Sequence, residues 1–129
     1  MALGKLYEEI GSGWSVVIFD SLSTLISIVG VETTLRLVPS VLAKVRQHGS
    51  AVVSLTSGIH SESTLAQLYS LFDLIVEMRI EAGEHLERML RIVKYSFGSY
   101  QNEWIPFQIL DQGIMLEANR GTNEVVGGK

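Results

Sequence analysis

The sequence contains no cysteine, and its Asp and Glu residues outnumber its Lys and Arg residues. Without cysteine the chain forms no disulfide and offers no thiolate ligand to a metal ion. The net charge of −4 argues against a general nucleic-acid or membrane-surface binder, because attraction to phosphate groups requires an excess of basic residues. We therefore expect a soluble protein of the reducing cytoplasm.

The sequence also lacks a long apolar run. The longest one, Leu22–Val31, is interrupted by hydroxyl side chains and is far shorter than the ~20 residues that a membrane-spanning helix needs. The first ten residues hold three charged side chains and no apolar centre, so no secretory signal is expected there. We expect no membrane partner.

What the chain has in excess is apolar side chains, at 47% of residues against 19% charged ones. Two interpretations stay open. A parallel sheet buried on both faces needs this composition, and so does a surface that meets a partner protein.

Short apolar segments alternate with helical patterns along the chain. We predict helices over Ala2–Ile10, from Thr33 or Thr34 to about Gln47 with Pro39 as a kink or first turn, and over Glu62–Ser70, while Leu22–Gly30 is either a loop or a short helix. We predict strands over Trp14–Asp20, Ala51–Thr56, Phe72–Glu81 and Leu86–Tyr95, and a hairpin of Trp104–Ile109 with Gly113–Glu117. This order predicts an α/β domain over residues 1–118, with a mainly parallel sheet, antiparallel strands at its C-terminal end and a disordered tail over residues 119–129.

Asp20 follows four apolar residues at the end of the first predicted strand. This is the Walker B pattern, in which the carboxylate holds Mg²⁺ directly or through water, although a strand-terminal Asp also commonly caps a turn. The phosphate loop G-x-x-x-x-G-K-[ST] is missing, since no lysine of the sequence is followed by Ser or Thr. We therefore expect no autonomous ATPase activity and no cofactor bound by this chain alone.

Other polar residues carry weaker signals. The segment Thr56–Glu62 could bind an anion, but Ser61 is expected to cap the following helix instead. The histidines, His48, His60 and His85, are far apart and match no zinc spacing.

Basic residues cluster on the predicted strand Leu86–Tyr95. Strand alternation predicts that Arg88 and Lys94 share one face and that Arg91 lies on the other. They could contact nucleic acid, with Tyr100, Trp104 and Phe107 stacking on bases, but solvated strand charges and hairpin packing are favoured.

Several segments together resemble the archaeal KaiC-like branch of the RecA ATPase superfamily. The resemblance lies, in the same order, in WSVVIFDSLSTL at Trp14–Leu25, in the helix with an internal Val-Pro at Leu35–Gly49, and in the strand at Ala51–Gly58. It continues in the terminal strands at Leu90–Lys94 and Trp104–Leu116 (WIPFQILDQGIML). The resemblance implies a partial RecA-like three-layer fold over about residues 14–117.

The resemblance also implies roles for two residues. Asp20 would be the Mg²⁺-associated Walker B carboxylate, and Lys94 would correspond to a lysine that reaches ATP bound to a neighbouring subunit. The sequence departs from the family pattern because the first strand, the phosphate loop and the catalytic glutamate are absent. Ser96 stands where the family has arginine, and Thr56-Ser57-Gly58 lacks the polar amide of the sensor position.

In the family sheet, the phosphate-loop strand lies between the strands that match Ala51–Thr56 and Phe72–Glu81. Its absence leaves backbone groups that must find other partners. We therefore expect a non-catalytic module that forms homo-oligomers or completes its sheet with a partner chain. The alternatives are one half of a composite ATPase, which binds Mg-ATP only with a partner subunit, and a nucleic-acid accessory protein that uses Arg88, Arg91 and Lys94.

Overall fold

A computed structural model describes Gly13 and residues 15–117, apart from the side chain of Ser15. The predicted helix Ala2–Ile10 and the predicted tail over residues 119–129 lie outside the described residues. The chain divides into two compact units, Met1–Leu71 and Phe72–Lys129. The structure is mixed α/β, with a parallel sheet of two strands and an antiparallel sheet of four strands.

The first unit holds a βααβα segment. Its elements are β1 (Ser15–Phe19), α1 (Leu22–Val29), α2 (Val31–His48), β2 (Gly49–Val53) and α3 (Glu62–Ser70). β1 and β2 pair in parallel, from Ser15 opposite Gly49 to Phe19 opposite Val53. The chain crosses from β1 to β2 through α1 and α2, as parallel pairing requires.

Gly30 separates α1 from α2 because its backbone adopts φ +83°, a conformation that a residue with a side chain rarely adopts. Its N–H donates to Ile26 O at the end of α1, and its carbonyl accepts from both the N–H and the hydroxyl of fully buried Thr34. α2 therefore begins at Val31, and the prediction that it begins at Thr33 or Thr34 is wrong. Pro39 lies well inside α2, where it leaves the Leu35 carbonyl without its helical donor.

The core of the first unit lies against α2. Val38, Leu42 and Val45 recur at helical spacing on one side of α2, and these three side chains are buried together with Leu22 of α1 and Leu68 of α3. Arg46 Nη2 donates to Leu71 O over 3.1 Å and ties the end of α2 to the end of α3. No helix in the described part of the chain is long and apolar enough to cross a membrane.

The second unit is an antiparallel sheet in the order β3-β4-β5-β6. Its strands are β3 (Leu74–Ala82), β4 (Leu86–Tyr95), β5 (Ile105–Leu110) and β6 (Gly113–Leu116). The predicted strands after Phe72 are thus confirmed to within two residues at each end. Phe107 is the one buried apolar side chain of this unit among the described residues.

Two details differ from the sequence-based expectations. β3 pairs with β4 over nearly its whole length, so the parallel sheet has two strands among the described residues, and β3 is not its third. The register of β3 and β4 also shifts between Ile75 and Val76. This irregularity puts Lys94 opposite Ile75 and therefore on the side of Arg91, so the prediction that Lys94 shares a face with Arg88 is wrong.

Candidate functional site

The carboxyl ends of β1 and β2 bring together several polar side chains. Asp20 directly follows β1 and Ser54 directly follows β2, and the Ser54 hydroxyl donates to Asp20 Oδ1. The backbone continues the pairing, since Ser54 N–H donates to Phe19 O over 3.0 Å and Leu22 N–H donates to Ser54 O over 2.9 Å. This is the edge at which open α/β sheets bind ligands.

Asp20 is exposed, and its carboxylate accepts from a hydroxyl of the same unit. Among residues 15–117 no group of three or more His, Asp or Glu side chains is placed to hold a metal ion. A cation at Asp20 would therefore need further oxygen ligands, such as hydroxyls, water, nucleotide phosphates or groups of another chain.

Ser23 lies near the same edge of the parallel sheet and is buried on the first turn of α1. Its Oγ accepts from the Thr56 N–H over 2.8 Å and forms a 2.8 Å hydrogen bond with His60 Nε2. The pairing of serine with histidine is a pattern of nucleophilic catalysis. Here the hydroxyl is buried and already accepts from the backbone, so its role is to fasten the loop between β2 and α3 onto α1.

The loop ends at Ser61, whose Oγ accepts from Thr64 N–H over 3.2 Å and caps α3. The predicted capping role of Ser61 is confirmed. Three residues of Thr56–Glu62 thus use polar groups within the fold: Thr56 binds Ser23, His60 binds Ser23, and Ser61 binds Thr64.

A second polar cluster lies on the antiparallel sheet, around Trp104. The Arg79 and Arg91 guanidinium carbons lie 3.8 and 4.6 Å from the centroid of the Trp104 ring. Arg91 also pairs with Glu77 across the strands, with Nε and Nη2 at 2.8 and 2.7 Å from Glu77 Oε2, and Arg79 pairs with Glu81. Both arginines are thus held by a carboxylate and by a ring.

This cluster bears on the nucleic-acid alternative. Arg91 is neutralised by Glu77, Trp104 is covered by guanidinium groups, and Phe107 is buried. The Tyr100 hydroxyl donates to Val93 O over 2.9 Å, which holds that ring to its own sheet. The packing role predicted for these aromatic residues is thus the better supported one, and Arg88 lies on the opposite face of β4.

The two residues assigned to nucleotide binding lie in different units. Asp20 follows β1 in the first unit, and Lys94 lies near the end of β4 in the second, where it is half-buried. Of the three histidines, His60 and His48 belong to the first unit and His85 to the turn between β3 and β4.

One face of the parallel sheet in the first unit is apolar and exposed. Val16, Ile18 and Val52 project from one face of the parallel sheet and are 59%, 75% and 59% exposed. Parallel sheets are normally covered on both faces. Here α2 contacts both strands, and the side chains of the opposite face, such as Val17 and Val53, are half-buried. On the antiparallel sheet, β3 similarly exposes Val76, Met78 and Ile80.

Sequence reasoning missed Ser23 and Ser54 and gave His60 only a surface or capping role. The one signal was their position near the ends of strands that were predicted to be parallel: Ser23 and His60 follow such strands, and Ser54 lies within the predicted strand Ala51–Thr56. That signal places residues near one edge but does not predict which hydroxyl meets which ring.

Residues 5–78 match the model of a family of unknown function, DUF7504. Because the match covers more than half of the 129 residues, the chain belongs to this family. The match includes β1, β2 and the helices between Leu22 and Ser70, and it ends within β3. No curated protein shows significant similarity to the chain.

Proposed function

We propose that this member of the family is a partial RecA-like module that works by binding another protein chain and not by catalysis. The RecA-like fold is proposed from the KaiC-like resemblance of the sequence, and we propose that the protein is cytoplasmic. The observation that carries it is the uncovered apolar face of the parallel sheet, formed by Val16, Ile18 and Val52.

An apolar face that stays exposed to water is energetically unfavourable. Burial of apolar surface stabilises a protein by about 25 cal/mol for every Å², and surface that stays in water does not contribute this free energy. A two-stranded parallel sheet that is open on one face and at both edges is therefore only marginally stable alone. Among the described residues no strand pairs with the outer edge of β1 or of β2. The resemblance implies a phosphate-loop strand beside β2, and a partner chain that supplies a strand or an apolar face would stabilise the parallel sheet.

Binding coupled to stability gives a direct test. Association raises the melting temperature with protein concentration, because the bound state is favoured by mass action. Ile18→Lys should weaken that dependence. Ile28→Lys is the matched control, since Ile28 is the same residue type, is also 75% exposed and lies on α1.

A melting temperature that does not change with concentration, with Ile18→Lys no worse than Ile28→Lys, would contradict the proposal. Mg²⁺-ATP should leave the melting temperature of the chain unchanged, since the sequence has no phosphate loop.

A second candidate function is one half of a composite ATPase, and the position of Asp20 favours it. Asp20 lies at the ligand-binding edge of the parallel sheet, and its carboxylate is oriented by the Ser54 hydroxyl. In this case Mg-ATP would bind only when a second chain supplies the phosphate loop, and Lys94 would act across the interface. Calorimetric titration with Mg-ATP should then show binding to the assembled pair and none with Asp20→Ala.

A further inference from the structure

The outer edge of β3 is the longest unpaired strand edge among the described residues. β3 has nine residues and pairs with β4 on one side only, whereas β6, at the other end of the sheet, has four. Natural proteins protect such edges with short strands, prolines or bulges, because the unpaired N–H and C=O groups are a template for another strand. β3 contains no proline, and along its outer edge no described strand covers it.

The side chains of β3 are sorted by face. Val76, Met78 and Ile80 are apolar and exposed on one face, while the other face carries Ile75, Glu77, Arg79 and Glu81. A strand added to this edge must match the alternation, because a slip of one residue would oppose apolar and charged side chains. The edge therefore selects a strand with the same pattern and the complementary charge order.

A second copy of β3 has that pattern when it runs antiparallel with Met78 on the two-fold axis. Glu77 then lies opposite Arg79 of the second copy, and Arg79 lies opposite Glu77 of the second copy. Val76 lies opposite Ile80 of the second copy in the same way, while Ile75 lies opposite Glu81 of the second copy. All nine residues of the strand take part, and each opposite pair lies on one face.

Neighbouring registers are worse. An axis at Glu77 opposes two Glu77 carboxylates, and an axis at Arg79 opposes two arginines and also sets Glu77 against Glu81. An axis at Ile80 pairs Arg79 with Glu81 but engages only the last five residues of the strand. Because like charges directly opposite each other are destabilising, the register about Met78 is selected by both charge and length.

We propose that the outer edge of β3 binds β3 of a second copy of this chain, antiparallel and centred on Met78, to form a continuous eight-stranded sheet. The inference rests on the proposed function only in requiring association, and it uses an edge of the second unit that is distinct from the face of Val16, Ile18 and Val52. Within each copy Arg91 already binds Glu77. In the dimer each Glu77 would lie between its own Arg91 and Arg79 of the second copy, as the isologous symmetry of a homodimer allows.

Crosslinking tests the register directly. The chain has no cysteine, so a single introduced thiol is the only one present. Met78→Cys should form a covalent dimer on oxidation or with a short bifunctional thiol reagent, because opposite Cβ atoms in a sheet are ~4.5–5.5 Å apart. Ile109→Cys is the control: Ile109 is exposed on β5, and five strand spacings of ~4.8 Å would separate its two copies by about 24 Å.

Charge exchange tests the same register without a covalent bond. Glu77→Arg and Arg79→Glu each set like charges opposite each other in their homodimers, and each should weaken the dimer about tenfold or more. An equimolar mixture of the two variants should restore it, because the heterodimer has opposite charges at both positions. Glu84→Arg, in the exposed turn after β3, is the control for the same change of charge, and circular dichroism checks that each variant folds.

The outcomes separate this inference from the proposed function. A dimer that survives both charge changes, or that crosslinks through Ile109→Cys and not through Met78→Cys, overturns the β3 register and leaves association in place. A chain that is monomeric at every concentration overturns both the β3 pairing and self-association through the face of Val16, Ile18 and Val52.

Discussion

Replacing Ser23 with alanine removes a single oxygen atom but should destabilise the first unit substantially. The hydroxyl is buried, accepts from Thr56 N–H over 2.8 Å and joins His60 Nε2 over 2.8 Å. Alanine leaves the Thr56 N–H without its partner in a part-buried position. A buried polar group left unsatisfied costs about 1–3 kcal/mol, so we expect a loss of about 2 kcal/mol.

The assay is thermal or urea unfolding of Ser23→Ala beside Ser27→Ala. Both residues lie on α1, but Ser27 is exposed and its hydroxyl only donates to Thr24 O of its own helix. For a domain of 60–100 residues, 1 kcal/mol shifts the melting temperature by ~4–8 °C, so Ser23→Ala should melt roughly 8–16 °C below the unchanged protein. Ser27→Ala should stay within about 0.5 kcal/mol of it.

The histidine supplies the second arm of this test. If Ser23 and His60 act together, the effects of Ser23→Ala and His60→Ala should not add, and a double-mutant cycle should give a coupling of about 0.5 kcal/mol or more. Equal losses in Ser23→Ala and Ser27→Ala, together with strict additivity, would refute the role assigned to the Ser23 hydroxyl.

Three further stability changes follow from single contacts, each measured by urea unfolding. Leu68→Ala should cost about 2–5 kcal/mol because Leu68 is 1% exposed, and a loss below 1 kcal/mol would contradict its place in the core. Ser61→Ala should cost about 1 kcal/mol through the lost cap of α3, while Ser61→Asp should retain the cap. Trp104→Leu should cost about 1–2 kcal/mol through its two guanidinium contacts, and a neutral effect would show that they contribute nothing.

Local signals explain which parts of the fold could be predicted from the sequence. Ser61 and the apolar spacing of Leu65 and Leu68 predicted α3 with its observed bounds, because capping and helical periodicity are both local. The hairpin of β5 and β6 was predicted for the same reason, since its turn at Asp111-Gln112 joins strands that are adjacent in sequence.

Non-local pairing explains the failures. β3 is an apolar strand like β1 and β2, so its pattern favoured a place in the parallel sheet. The tight turn after Ala82 instead brings β4 alongside it, and the sequence does not state which of two available edges a strand joins. The position of Lys94 was wrong for a related reason, because strand alternation assumes an uninterrupted register.

The candidate site was predicted only in part. Asp20 was found from a strand that ends in a carboxylate, which is a local pattern. The contact of Ser23 with His60 joins residues 37 positions apart, and its geometry depends on how α1 and the loop after β2 pack. No pattern of spacing in one sequence indicates such a contact.

The most direct test of the proposed association is the solution mass of the unchanged chain, measured by light scattering over a wide concentration series. We expect a species of at least twice the 14.2 kDa chain mass that persists on dilution into the micromolar range. A well-folded species of 14.2 kDa at every concentration would contradict self-association and the β3 pairing together.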